Sequence, residues 1–321
     1  MPYQCKKNPK TNGNHAVKVL WATSIYPTPM FDIFLKDHLE TINNQTHRDF
    51  DLLLFLDCIS QDTIKKEVRK YANLQKIKIH YLAQKTNILN PMEIRQKLLS
   101  FAYDWGYELL ILSDFDETMD ANRFEETIKQ IGDFDFSFSS FYIVDSRLQK
   151  LEDEDFHKKC KTPKMVLDIF PVLDKNFIGL GNMSIKINNP LFSTIKNLKL
   201  NNCYAFDWLI ATFMILNGLK GIRIDDTFVN YRQHQDSYTG IFKPLSTKTL
   251  DLGVRVKKMH YNFFRKSHTL FDVKHQEIIE LEKYLLKNKD NYIKIINQHY
   301  NPTMLCWWEN IKTLQEVKQW I

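Results

Sequence analysis

The chain has 321 residues, of which 44% are hydrophobic, 26% charged and 13% aromatic; that balance suits a globular protein with a sizeable core and excludes a largely disordered one. No run reaches the roughly 18–20 apolar residues that cross a bilayer, and the polar start over residues 1–15 lacks the apolar centre of a secretory signal, so a flexible tail is expected there. The formal net charge is +6, with no concentrated basic stripe in the first 240 residues, which argues against nucleic acid as a partner and suits anionic small molecules or anionic lipid.

From residue 16 the chain alternates short apolar runs with helical patterns. Residues 16–25 (AVKVLWATSI) read as a buried strand closed by Tyr26-Pro27, and 30–45 carry apolar residues at helical spacing. A second strand is expected over 49–57 and a second helix after it, with Ser60 or Asp62 as cap. Residues 76–82 alternate like a strand, 91–106 are helical, and 107–116 (YELLILSDFD) form another strand. Strands and helices alternating at these lengths predict an α/β fold with a mainly parallel sheet. Ligands of such sheets bind beyond the carboxyl ends of the strands, so Thr23-Ser24, Asp57 and Asp114/Asp116 are expected to meet in one crevice.

Residues 134–151 alternate well and predict two strands or one long edge strand; 152–164, of mixed charge, predict a solvated, mobile loop. Residues 176–187 (NFIGLGNMSIKI) predict a glycine-punctuated turn followed by a strand. An apolar helix over 205–221 and a short strand, IRIDDTFVNYRQH, come next. From about residue 246 long helical patterns rich in lysine and aromatics take over, so the division expected is a tail over 1–15, a catalytic domain over 16–245 and a helical extension over 246–321. Cys5, Cys58, Cys160, Cys203 and Cys306 are scattered without paired spacing, which excludes a zinc ribbon and suits a reducing cytoplasm.

The stretch ELLILSDFDETMDANRF (108–124) carries the chemistry. Two carboxylates one residue apart at a strand end point the same way and can reach one divalent cation. The same residues also fit a phosphatase nucleophile with its acid partner, or an acidic turn.

The order of motifs resembles the GT-A glycosyltransferases, especially the large family 2. FLKDHLETINNQTHRDFDLLLFLDCISQDT resembles the family's opening, with Cys58-Ile59 standing where a second aspartate and a glycine are usual. NILNPMEIRQKLLSFAYDWGYELLILSDFDE resembles the helix with an early arginine followed by the strand and its Asp-x-Asp. GLGNMSIKI is similar to the acceptor-side glycine segment, FDW to the acidic helix start, and YRQHQDSYTG to a Tyr-Arg-x-His element. The resemblance covers roughly residues 17–240.

It implies a Rossmann-like GT-A fold and an inverting, metal-dependent transfer of a sugar from a nucleotide-diphosphate sugar to a glycan or lipid-linked acceptor, in bacterial surface polysaccharide synthesis. Asp114, Asp116 and His234 would hold Mn²⁺ or Mg²⁺. Asp57 would bind base or ribose, Thr23 and Ser24 would line the base pocket, and Arg95 would approach the diphosphate. Asp207 would be the general base, its pKa raised by burial beside Trp208, which would itself stack on a sugar. Gly179 and Gly181 would allow close backbone approach. Residues 255–268, mixing bases with aromatics, would dock on anionic lipid at the cytoplasmic face of the inner membrane, or else pack on the catalytic domain. Two rivals stand beside this: a haloacid-dehalogenase-type phosphatase using Asp114 and Asp116, with Glu117 at its glycine position, and a non-catalytic sugar-binding protein.

Overall fold

A computed structural model describes residues 17–86, 89–200, 204–233, 241 and 243–321. The first half follows the expected alternation: β1 (Val19–Ile25), α1 (Phe31–Asn43), β2 (Asp51–Asp57), α2 (Gln61–Val68), β3 (Ile79–Gln84), α3 (Pro91–Asp104) and β4 (Leu109–Leu112). β1, β2 and β4 are near-continuous apolar runs, as parallel strands covered on both faces must be, and Leu52–Leu56 and Leu109–Leu112 are all buried; β3, at the sheet edge, is only partly covered. Helix α3 starts where Asn90 accepts from the amides of Met92 and Glu93 while Glu93 bonds back to the Asn90 amide, a complete capping box with proline in the first turn. Ser60 occupies the cap position of α2 but makes no side-chain cap bond.

Then come β5 (Thr118–Met119), α4 (Arg123–Gln130), β6 (Phe136–Val144), α5 (Phe156–Lys159), β7 (Met165–Val166), β8 (Met183–Lys186), α6 (Phe206–Leu216) and β9 (Gly221–Arg232). One nine-stranded sheet has the order β3-β2-β1-β4-β8-β6-β9-β5, with β7 also paired to β9. The first four strands are parallel, β8 runs antiparallel to both β4 and β6, and β6 is parallel to β9.

Three expectations change. The 134–151 segment is a central strand rather than an edge: Ser137, Ser139 and Ser140 are as buried as Phe136, Phe138 and Phe141, so its alternation is of small and large residues, both covered. The 152–164 segment holds α5, whose cap Asp155 accepts from the Lys158 amide and whose Phe156 and His157 are fully buried, so it is not a solvated loop. The strand at 221–232 is long, and a register shift between Ser139 and Ser140 lets its two halves serve different neighbours, β7 at the start and β5 at the end.

The C-terminal part opens with two long helices, α7 (Thr247–Phe264) and α8 (Thr269–His299), the latter kinked at Asn288. After a turn and before the short α9 (Leu314–Val317) the chain runs back as a strap that pairs Trp307 with Asn176. The face of α7 carrying Val256, His260, Tyr261 and Phe264 is turned inward, and His260 stacks on Trp208 of α6 at 3.7 Å. Its bases Lys258 and Arg265 meet Glu282 and His275 of α8, so the packing alternative describes 255–268. Among the described residues no helix is long and apolar enough to cross a membrane. Cys160 and Cys306, far apart in sequence, are hydrogen-bonded buried thiols; Cys5 and Cys203 lie outside the described residues.

Candidate active site

A crevice of about 830 Å³ opens at the carboxyl ends of β1, β2 and β4. Ser24, Asp57, Arg95, Asp114, Asp116, Gly179, Gly181 and Asp207 all line it, joining six separate stretches of chain. Three other expected residues are not seen there. Thr23 alternates to the opposite face of β1 and is fully buried. Trp208 is fully buried too; its indole N–H donates to the Val172 carbonyl at 2.7 Å and its face is covered by His260, leaving no surface for a sugar. His234 lies outside the described residues. Arg232 reaches the crevice edge, but its guanidinium is bound to Asp37 at 2.6 Å and to the Ser146 carbonyl.

At the β2 end, Asp57 accepts a hydrogen bond from the Gln84 amide at 2.7 Å, and Gln84 also holds both backbone groups of Leu89. Cys58 takes a left-handed φ of 57°, a conformation that favours glycine. The chain thus turns sharply here although the usual glycine of the resembling motif is missing.

Asp114 and Asp116 sit past the end of β4 in a turn closed by the Glu117 amide on the Asp114 carbonyl at 3.2 Å. Turn geometry, not strand alternation, aims both carboxylates at the crevice, while Phe115 between them is buried against Tyr26, Phe31 and Phe34. Asp114 receives Arg95 at 2.9 Å and the Gly181 amide. Burial nonetheless holds its pKa above the ordinary carboxylate value, Arg95 opposing and Asp116 adding to the rise. Glu117 is 4% exposed and one of its oxygens has no hydrogen-bond partner. Burial, then the charges of Asp114 and Asp116, push its pKa well up. Arg123 stands behind it, itself drawn down to about 10 by burial. Tyr26, on the crevice wall, has its phenol pKa raised by burial and by Asp116 and Asp114. Negative charge is therefore crowded at this turn beyond what Arg95 offsets.

Such crowding fits a divalent cation: two crevice-facing carboxylates and a buried third group would be relieved by positive charge. Among the described residues no three carboxylate, histidine or cysteine side chains form a complete ligand set, so phosphate oxygens and water would have to fill the remaining positions of a cation held by Asp114 and Asp116.

Gly181 is required by this arrangement, for a Cβ there would stand 1.8 Å from the buried Glu117 oxygen. Gly181→Ala is expected to displace Glu117 and lower stability by about 1–3 kcal/mol, the usual cost of overpacking. Thermal denaturation checks this, with Gly179→Ala as control, whose Cβ meets nothing closer than 3.6 Å.

Across the crevice, Asp207 lies in the first turn of α6. One oxygen accepts from its neighbour's amide at 2.9 Å and the other from Asn176 Nδ2 at 3.0 Å. Burial lifts its pKa to about 6, Arg95 opposing and Asp114 assisting. Burial also lowers the pKa of Arg95, but Asp114 and Asp207 together more than restore it. The guanidinium thus stays charged between the two acidic walls.

Comparison with solved structures gives the relation. TarS of S. aureus (residues 1–349), in complex with UDP-GlcNAc, superposes with a TM-score of 0.55 at 14% identity, covering 87% of this chain and 79% of that one. The fold is that of the GT-A glycosyltransferases. A mannosyltransferase from Pyrobaculum calidifontis, in complex with GDP-Man and Mn²⁺, gives 0.54 at 12% identity, over 91% of this chain and 74% of that one. Against the longer TarS chain the match spans 45% of its length. No family model matches the sequence, and no curated protein matches it. In this GT-A fold the Asp-x-Asp follows the fourth strand, at the end of the parallel block, not the first strand as the phosphatase alternative requires.

Sequence reasoning missed Gln84, Glu117 as a buried carboxylate, Asn176, and the Trp307–Trp308 pair that closes the crevice from the C-terminal strap. The doubled tryptophan was the available signal; nothing in the sequence marked Asn176.

Proposed function

We propose that this GT-A chain is an inverting glycosyltransferase that moves a sugar from a nucleotide-diphosphate donor to a glycan or lipid-linked acceptor. The observation that carries the proposal is the placement of Asp57, Asp114/Asp116, Arg95 and Asp207 around one crevice at the carboxyl ends of parallel strands. Asp57 and Ser24, at the β1–β2 end, suit the nucleoside; Asp57 is held acceptor-out by Gln84. Arg95 and the carboxylate turn suit the diphosphate. TarS carries UDP-GlcNAc and the mannosyltransferase GDP-Man with Mn²⁺, which supports a donor of that class and a divalent cation, Mn²⁺ or Mg²⁺.

A cation at Asp114 and Asp116 would supply Lewis-acid stabilisation of charge on the leaving diphosphate. Arg95 would add a fixed positive charge there. On the other side the Asp207 carboxylate would take the proton from the acceptor hydroxyl as its oxygen attacks the anomeric carbon. The anomeric C–O bond breaks, its electron pair stays on the phosphate oxygen, and the nucleoside diphosphate departs. A carboxylate with a pKa of about 6 is a stronger base than an ordinary one and is still ionised at neutral pH. The sequence resemblance implies a role in bacterial surface polysaccharide synthesis; the unpaired cysteine spacing suits the cytoplasm, and the charge distribution argues against a nucleic-acid partner.

A panel including UDP-GlcNAc and GDP-mannose, assayed for nucleoside diphosphate release with Mn²⁺, Mg²⁺ or EDTA, tests the proposal. Cation-dependent release from one class of donor is expected. Phosphate release from monoesters with every nucleotide sugar inert would overturn it.

A further inference from the structure

The C-terminal strap reaches the crevice through two adjacent tryptophans that do different things. Trp307 is 7% exposed and packs among Phe141, Phe156 and Tyr231 at ring distances of 5.2–5.5 Å. Trp308 lines the same crevice, is only partly buried, and among the described residues stacks on no aromatic ring. It also holds a left-handed φ of 67°, a conformation bulky residues avoid.

That conformation is held by well-placed anchors. Lys175 bridges to Glu309 at 2.9 Å, and Glu309 accepts from the Cys306 amide. Buried Lys257 donates to the Ile311 carbonyl at 2.7 Å, and Gly253 leaves room for Ile311, which a Cβ would meet at 2.6 Å. The surroundings fix the strained residue, the pattern expected where a side chain must be presented to a ligand.

Asn176 fixes where this ring stands. Its amide N–H donates to the Trp307 carbonyl at 3.0 Å while its side chain donates to Asp207 at 3.0 Å. One buried residue therefore ties the strap to the carboxylate proposed as base.

Resting on the glycosyltransferase reading, the geometry points to Trp308 as the platform of an acceptor subsite that takes a pyranose ring. An indole face is negative at its centre, and a pyranose presents a face of weakly positive C–H bonds; stacking the two leaves the hydroxyls at the ring edge, where Asp207 can reach one. The strap thereby makes the C-terminal extension part of the active site, and the acceptor a saccharide with a pyranose ring rather than an open-chain polyol.

The test uses Trp308→Gly, since glycine accepts φ of this sign without strain, with Trp308→Phe as conservative rescue. Methyl pyranosides (gluco, galacto, manno and N-acetylglucosamine) serve as acceptors, with glycerol as a polyol that has no ring. In Trp308→Gly the KM for the pyranoside is expected to rise about tenfold or more, further than the KM for the nucleotide sugar, and Trp308→Phe recovers most of it. Unchanged KM for the pyranoside in Trp308→Gly, an equal rise in KM for the nucleotide sugar, or preference for the polyol overturns the inference. Saturation-transfer NMR with the same pyranosides reads the subsite without any donor. Binding to the parent that Trp308→Gly loses supports it even if no nucleotide sugar turns over, and equal or absent binding in both sinks it.

Discussion

Asp207→Asn is expected to lower transfer by about 10³-fold, the scale of a lost general base, while donor affinity changes little. The amide matches the carboxylate in shape, and with its oxygen turned to Asn176 it keeps the bond of 3.0 Å that orients it while giving up the one from the Trp208 amide. The capacity to take a proton goes, with one acceptor position. The pH dependence follows from the same group. With its pKa near 6, the parent's kcat/KM for acceptor should be flat above that pH and fall about tenfold per unit below it, and the variant should lose this limb. Stability moves the opposite way. The folded pKa is raised above the ordinary value of 3.8, so the folded state binds this proton more tightly than the unfolded one. Across that interval the parent loses stability as pH rises, and above about 6 it carries the full cost of a buried charge. The neutral variant does not, so at pH 7–8 its melting temperature should match or exceed the parent's. A variant that transfers at full rate, or one that melts early, would remove Asp207 as base or leave its loss of activity to misfolding.

The sequence made the parallel half of the fold legible because its signals are local. Apolar runs such as DLLLFLD and ELLIL can only be buried strands, and the helices between them carry caps and period. The carboxylates at their ends follow from that, since a strand end in an open sheet is where a ligand binds. What was hidden depends on partners distant in sequence. Thr23 and Ser24 are neighbours, and only strand alternation sends one inside and the other to the crevice. Trp208 looked available because its cover, His260, is contributed by a helix fifty residues on. Glu117 read as the residue at the phosphatase motif's glycine position, yet the packing of Gly181 against it makes it a buried carboxyl. Asn176 sits in a segment read for its glycines and acquires its role only when α6 and the strap arrive on either side of it.

Asp116→Asn is the second large effect, and its logic is electrostatic. Asp116 faces the crevice and raises the pKa values of Asp114, Glu117 and Tyr26 by its charge. A protein gains nothing in stability from three carboxyls gathered at one turn, and Arg95 and Arg123 offset only part of the repulsion. The arrangement makes sense as a cation site whose strain the cation relieves. Replacing one charge by an amide should therefore act in two directions. Without metal, the variant should be as stable as the parent or more so. With Mn²⁺ and nucleoside diphosphate, the parent should gain stability, about 2.7 kcal/mol at a hundredfold excess over Kd, and the variant should gain little. Turnover of the nucleotide sugar should drop by about 10²–10³-fold, several kcal/mol of lost leaving-group stabilisation, and excess Mn²⁺ should recover part of it. A variant that keeps the full Mn²⁺-dependent melting shift would show that the cation is held elsewhere, and the carboxylate pair would then be a structural turn. The apo stability makes the test two-sided: a simple packing defect at this turn would lower it, whereas the loss of a crowded charge does not.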